Sequence, residues 1–309
     1  MFSRRTVIGL GATMLAFAAT SAFAQDWKAQ FPEITLGVIP AENASTTTDR
    51  YTPLTNYLSK ELGTKVTLRV ANDYAAVIEG QRAGNIHIGF YGPASYARAV
   101  ITGVSTEPVV VARHSNGLTG YYSVLYVLAS SPYKTVEDLA AKKLALVDPN
   151  STSGNNAPRF FLHEAGHEVD TFFGESIYAG SHDNAVLALA QGTVDVAANS
   201  WNSEDDSNLT RMLNKGVLKN ADGTPMKKED FRIVFKSPLL PEGPYSVLGS
   251  LPDDLKAAIK QAFIDMPKKD KAAFDALSDG KDIEFAPTTP AEYQPIIDMV
   301  KFNDAQRKS

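Results

Sequence analysis

The chain has 309 residues, 44% of them hydrophobic, a formal net charge of −5 and no cysteine. An acidic balance without basic runs excludes electrostatic capture of nucleic acid, and the lack of cysteine excludes disulfides, thiolate metal sites, a thiol nucleophile and a lipidated cysteine anchor. Stability must come from core burial, which an α/β chain of this length can supply.

The first 24 residues read as an export signal. Arg4 and Arg5 precede an apolar stretch from Val7 to about Thr20, and Ala22-Phe23-Ala24 is a small-x-small cleavage site. The stretch is short and broken by Gly9 and Gly11, so it does not read as a membrane-spanning helix. Both the general and the twin-arginine export routes fit the arginine pair. Cleavage after Ala24 removes both arginines and takes the charge from −5 to −7. The expected product is an acidic periplasmic protein, not anchored to the membrane.

Beyond the signal, short β-branched runs alternate with helical patterns: Ile34 to Ile39, then Tyr51 to Leu62; Val66 to Val70, then Tyr74 to Ala83; Ile86 to Gly89, then Pro93 to Thr102; and Val109 to Ala112. A second series runs through Tyr122 to Leu128, Thr135 to Ala141, Leu144 to Val147, Ala157 to Ala165, Asp183 to Ala190 and Val194 to Ala197. Alternation of this kind predicts parallel sheets covered by helices. Two α/β lobes follow, residues 25–119 plus 242–309 and residues 120–241, joined by a two-strand hinge near Gly120 and Pro241 to Pro244. Ser45 to Thr48 is expected to cap a helix beginning near Asp49, and Lys219 to Asp230 reads as a polar surface insertion. The helical C-terminal part, from Pro252 on, is expected to pack back on the first lobe.

Ligands of open parallel sheets gather at the carboxyl ends of strands, so Phe90-Tyr91-Gly92-Pro93 and Ala198-Asn199-Ser200-Trp201-Asn202 should face one cleft from opposite lobes. The segment Asp148-Pro149-Asn150-Ser151-Thr152-Ser153-Gly154 lies between a strand and a helix. Backbone N–H groups and three hydroxyls gathered there suit a tetrahedral oxyanion without any cation. The same residues also make an ordinary N-cap, and the segment alone leaves both readings open. Tyr74, Tyr91 and Tyr121 flank strand ends, where a phenol can face a cleft. His182 precedes a helix whose positive end favours the neutral imidazole, with Asp183 as the cap. Glu204-Asp205-Asp206 read chiefly as a solvated helix start. His163-Glu164-Ala165-Gly166-His167 matches a zinc-hydrolase pattern, but Gly166 is a helix stop that should leave His167 past the helix end.

Taken together these stretches resemble the phosphonate/phosphite-type (PhnD-like) periplasmic substrate-binding proteins of ABC transporters. The likeness is carried by Asp73-Tyr74-Ala75, Phe90-Tyr91-Gly92, Gly120 to Leu125, Asp148 to Gly154, Gly180-Ser181-His182-Asp183, Val194 to Ala197 and Lys236 to Pro241. The resemblance implies a type II periplasmic-binding fold that closes on its ligand. It also implies a phosphonate held by Ser151, Thr152 and Ser153 with Tyr74 and Tyr121, and a further contact at His182 and Asp183. Some relatives hold a ligand ammonium with one carboxylate after a second-lobe strand and another in a Pro-Gly-Asp-Pro turn. Here that turn reads Pro241-Glu242-Gly243-Pro244, and the first carboxylate is either displaced to Glu204 or replaced by Asn202. The expectation is a monomeric binding protein, not an enzyme and without a cofactor, that delivers a phosphonate to an ABC permease, 2-aminoethylphosphonate or another alkylphosphonate being favoured. The alternatives are a phosphite or phosphate binder of the same fold, or a zinc hydrolase.

Overall fold

The computed structural model describes residues 27–307, so the expected export signal lies outside the described residues. Two mixed sheets organise the chain, each flanked by helices. The first has the strand order Asp282–Pro287, Thr106–His114, Tyr245–Leu248, Ile88–Phe90, Glu33–Val38 and Lys65–Val70. Glu33–Val38 pairs in parallel with both Lys65–Val70 and Ile88–Phe90, as alternating strands and helices require, whereas Tyr245–Leu248 and Asp282–Pro287 enter antiparallel. The second sheet runs Phe231–Lys236, Gly120–Leu128, Val196–Ser203, Lys143–Leu146 and Glu175–Tyr178, with Leu240–Pro241 and Asp206–Ser207 added at its margins. Here too only the strands joined through helices are parallel, and Gly120–Leu128 is antiparallel to its neighbour. The expected parallel sheets are thus corrected to mixed ones, with Asp282–Pro287 and Phe231–Lys236 also pairing antiparallel.

Local chemistry explains most boundaries. Helix Ala44–Leu62 starts before Asp49 because Asn43 caps it, its side chain accepting from Thr46 N at 3.0 Å, and it ends on Gly63 in the left-handed region (φ 63°). Asp73 caps Tyr74–Arg82 in the same way, and Pro93 starts Pro93–Ile101 at a position where its missing N–H costs nothing. The expected helix at Thr135 to Ala141 shrinks to one 3-10 turn, Glu137–Leu139.

Apolar side chains of alternate strand residues, Ile34, Leu36 and Val38 among them, bury against Leu54, Leu58, Ile259 and Phe263 to form the first lobe's core. Leu125, Val127, Leu144, Leu146 and Leu162 do the same in the second. Helices Asp253–Lys269 and Lys271–Ala276 return to the first lobe as expected. The last helix, Gln294–Gln306, does not stay there. Its Ile296, Ile297, Met299 and Val300 pack with Ala94 and Ala97 of the first lobe and with Tyr121 and Ala157 of the second. Asn303 Nδ2 donates to Asn156 O at 2.9 Å, and Arg98 holds Asp304 with two bonds of 2.5 and 2.7 Å. Its apolar stripe therefore serves both lobes.

Candidate anion-binding site

Strand Lys143–Leu146 delivers the chain to Asp148 and Pro149, after which Ser151 caps a π-helical turn, Thr152–Asn156, that runs into helix Ala157–Glu164. The wide turn is held open by its own polar groups. Asn155 and Asn156 donate through Nδ2 to Pro149 O at 2.8 and 3.0 Å, and Ser151 Oγ accepts from Gly154 N at 3.1 Å. Single π turns of this kind recur at functional sites. Ser123 Oγ donates to Ser153 O at 2.7 Å from the neighbouring strand, which fixes the turn against the sheet. Gly154, expected to meet the anion together with the three hydroxyls before it, is not among the residues lining the cavity. A Cβ there would meet Val147 Cγ2 at 2.3 Å and Val147 Cβ at 2.4 Å, so its place in the motif is a packing requirement.

Ser151, Thr152 and Ser153 are buried and line a cavity of ≈170 Å³ between the lobes. Tyr74 and Tyr121 line the same cavity as Ser151, Thr152 and Ser153. Burial first, then the charge of Asp148 for Tyr74 and of Glu242 for Tyr121, pushes both phenols well above their ordinary range, so both are neutral donors at physiological pH. The lobes already touch across this site: Ala94 N donates to Thr152 Oγ1 at 2.8 Å and Tyr74 N to Asp148 Oδ2 at 3.4 Å.

His182 is brought to the cavity by helix His182–Ala190, and burial, reinforced by Arg211, lowers its pKa to about 4 against the opposing pull of Glu42. The ring is therefore neutral, and its buried Nδ1 has no hydrogen-bond partner among the described residues. A ligand oxygen is the kind of group that would satisfy it.

The remaining expected contacts are redistributed. Tyr91 borders the cavity as expected, but its side chain is fully buried and its hydroxyl donates to Gln81 Oε1 at 2.8 Å inside the first lobe. Gly89 leaves a slot that the Tyr91 ring fills, a Cβ at Gly89 lying 2.7 Å from that ring, so the phenol is turned away from the cleft. Asp183 is not the helix cap: Ser181 is, accepting from Asn184 N at 3.1 Å. The Asp183 carboxylate instead accepts from Asn43 N and Nδ2 of the first lobe, at 3.0 and 3.1 Å. Glu204 is 65% exposed and pairs with Lys228 at 2.6 Å, outside the cavity. Asn202 does line the cavity, and its Nδ2 donates to Asp206 Oδ2 at 2.8 Å.

Two charged clusters are legible in the sequence only in part, which singles out Asp206 and the Glu242 turn but not their partners Glu42, Arg50, Arg211, His114 and Asp282. One joins Glu42, Arg50, Arg211, Asp206 and Asn208, all on the cavity wall. Glu42 lies just past the carboxyl end of strand Glu33–Val38, the position where such folds place ligand groups, and that was its one sequence signal. The other is His114, whose Nδ1 and Nε2 lie 2.7 and 2.9 Å from Asp282 and Glu242. Burial opposes its charge, but the hydrogen bonds and charges of the two carboxylates prevail and push it up to about 10, so it is an imidazolium at neutral pH. The zinc-hydrolase pattern comes apart in the fold. Helix Ala157–Glu164 stops before Gly166, which is left-handed (φ 86°), and His167 packs against Phe172 while His163 contacts Glu168.

A family model described as ABC transporter, phosphonate, periplasmic substrate-binding protein matches residues 36–293. The chain belongs to this family. Its members are substrate-binding components of transporters, not enzymes. The chain is 31% identical over 281 residues to the phosphonates-binding periplasmic protein of Escherichia coli, covering 88% of this chain and 77% of that protein. It is 40% identical over 200 residues to the phosphate-import protein PhnD of Mycolicibacterium smegmatis, a match spanning 61% of this chain and 60% of that relative's length. Among solved structures, a binding component of an ABC phosphonate transporter from Pseudomonas aeruginosa superposes with a TM-score of 0.74 at 24% identity, covering 88% of this chain and 87% of that one. PhnD1 of Prochlorococcus marinus, solved with methylphosphonate, gives 0.72 at 19%, covering 88% and 98%. These likenesses establish the two-lobed type II fold.

Proposed function

We propose that this chain binds an alkylphosphonate in the cleft, 2-aminoethylphosphonate being favoured, and delivers it in the periplasm to the permease of an ABC importer. The observation that carries the reading is the convergence of three hydroxyls, two neutral phenols and a neutral imidazole on one cavity. Neutral donors hold a dianion without the desolvation cost of burying a countercharge beside it, and each charge-assisted hydrogen bond contributes about 1.5–3 kcal/mol.

The substituent follows from room and charge. A dry cavity of about 150 Å³ accommodates a benzene, so ≈170 Å³ exceeds what a bare tetrahedral oxyanion needs. Around the cavity, the carboxylates of Glu42, Asp206, Glu242 and Asp282 outnumber the cations Arg50, Arg211 and protonated His114, which favours a ligand carrying an ammonium. The relative named for phosphate import is what supports the rival reading, an inorganic oxyanion.

In this reading residues 1–24 direct export and the mature protein works as a monomer. Residues 25–119 plus 242–309 move against 120–241 about the crossings near Gly120 and Pro241 to Pro244. Calorimetric titration with 2-aminoethylphosphonate, methylphosphonate, phosphite and phosphate tests the ligand. The two phosphonates should bind more tightly than the inorganic ions, the amine-bearing one most tightly of all. Tightest binding of phosphate or phosphite would overturn the reading.

A further inference from the structure

The geometry points to Glu42 and Arg211 as an ion-pair latch that sets ligand affinity by holding the lobes closed. Glu42 stands in the first lobe, between strand Glu33–Val38 and helix Ala44–Leu62, and is 7% exposed. Arg211 belongs to helix Asn208–Asn214 of the second lobe and is 18% exposed. Arg211 Nη2 lies 3.1 Å from Glu42 Oε1, across the cleft.

What makes the pair a latch is that each member keeps a second partner on its own side. Glu42 Oε1 also pairs with Arg50 Nη1 of the first lobe. Arg211 also pairs through Nη1 with Asp206 Oδ1 at 3.2 Å, and its Nη2 donates to Asn208 Oδ1, both in the second lobe. Opening the cleft therefore separates Glu42 from Arg211 and leaves neither charge bare. Closing docks two standing pairs into one chain, Arg50–Glu42–Arg211–Asp206, where burial removes the solvent that screens them. A buried ion pair formed only on closing, with its partners already neutralised, avoids the largest desolvation penalty in the open state.

Neighbouring contacts run along the same edge. Ala41 O accepts from His182 N at 2.9 Å, Asn43 donates twice to Asp183, and Lys215 Nζ reaches Thr46 Oγ1 at 3.2 Å. Residues 41–46 thus form a continuous seam against the start of helix His182–Ala190 and the end of helix Asn208–Asn214, and Asp183 finds its role there. The seam adjoins the cavity at His182, so ligand docking on the second lobe and closure of the seam reinforce one another.

The inference rests on the proposed binding role, and its test uses the same ligands. Glu42→Gln, Arg211→Met, Arg211→Lys and the Glu42→Gln/Arg211→Met double variant are titrated by calorimetry with 2-aminoethylphosphonate, methylphosphonate, phosphite and phosphate. Each uncharged single variant should raise Kd about tenfold for every ligand that the wild type binds. The double variant should be no worse than the poorer single one, and Arg211→Lys should recover most of the affinity. A loss confined to 2-aminoethylphosphonate would mean that the pair reads the substituent, and additive losses would mean that the two act apart; either overturns the latch. The order of wild-type affinities judges the ligand reading, while the variant-to-wild-type ratio for whichever ligand binds judges the latch.

Discussion

Replacing Ser151 and Thr152 together by alanine should abolish phosphonate binding at concentrations that saturate the wild type, while the protein stays folded. Two hydrogen bonds to an anion contribute about 1.5–3 kcal/mol each, so losing both should raise Kd at least about a hundredfold. The stability cost is far smaller. Ser151 gives up its cap on Gly154 N, worth about 1 kcal/mol, which lowers Tm by about 2–4 °C for a domain of a few hundred residues. Thr152 also gives up the bond it accepts from Ala94 N across the cleft, so closure weakens along with docking. Thr152→Ser keeps the hydroxyl and should bind nearly as well as the wild type. Calorimetry beside a thermal melt separates the two effects, and a double alanine variant with undiminished affinity would remove the cradle from the account.

Gly154→Ala should lower stability and affinity together, which is the signature of a packing residue inside a binding motif. The new methyl would sit 2.3–2.4 Å from Val147 Cγ2 and Cβ and 2.8 Å from Ser151 Oγ. Val147 cannot retreat by rotation alone, because its Cβ is as close as its methyl and its N–H donates to Gly154 O at 2.9 Å. The π turn must shift outward, at an overpacking cost of about 1–3 kcal/mol. A fall in Tm of several degrees and a Kd raised about tenfold or more are expected, since displaced hydroxyls lose directional bonds. Wild-type values for both would mean that the turn has slack.

The cradle was legible because it is local. Strand, turn and helix start follow one another within a dozen residues, and their hydroxyls need no distant partner to be brought together. Tyr74 and Tyr121 were legible for a related reason, since strand and helix ends lie at the cleft in this architecture. Tyr91 satisfied the same rule and does border the cavity, but its hydroxyl points elsewhere. The slot left by Gly89 and the waiting Gln81 carbonyl decided its orientation, and neither can be read from a strand end alone.

Asp183 and Glu204 show the other limit. A carboxylate near a helix start can cap it, meet a surface lysine or cross to another lobe, and only packing chooses. Glu42 and Arg211 lie 169 positions apart, each unremarkable in its own neighbourhood, so their pairing exists only in three dimensions. The strand Asp282–Pro287 went unread because its exposed edge carries Glu284 where a buried strand would show an apolar residue. The last helix was expected on the first lobe, but an apolar stripe does not say whether it covers one lobe or two.

The central claim is that an oxyanion sits on neutral hydroxyl donors, although two arginines line the same cavity. A crystal structure of the protein with methylphosphonate tests this most directly, because the position of the phosphorus chooses between the hydroxyls and the arginines. The account predicts phosphonate oxygens at about 2.5–3.0 Å from the hydroxyls of Ser151, Thr152 and Ser153 and the phenols of Tyr74 and Tyr121, with the Glu42–Arg211 pair intact. A phosphonate bound instead between Arg50 and Arg211, with the cradle facing only solvent, would contradict it.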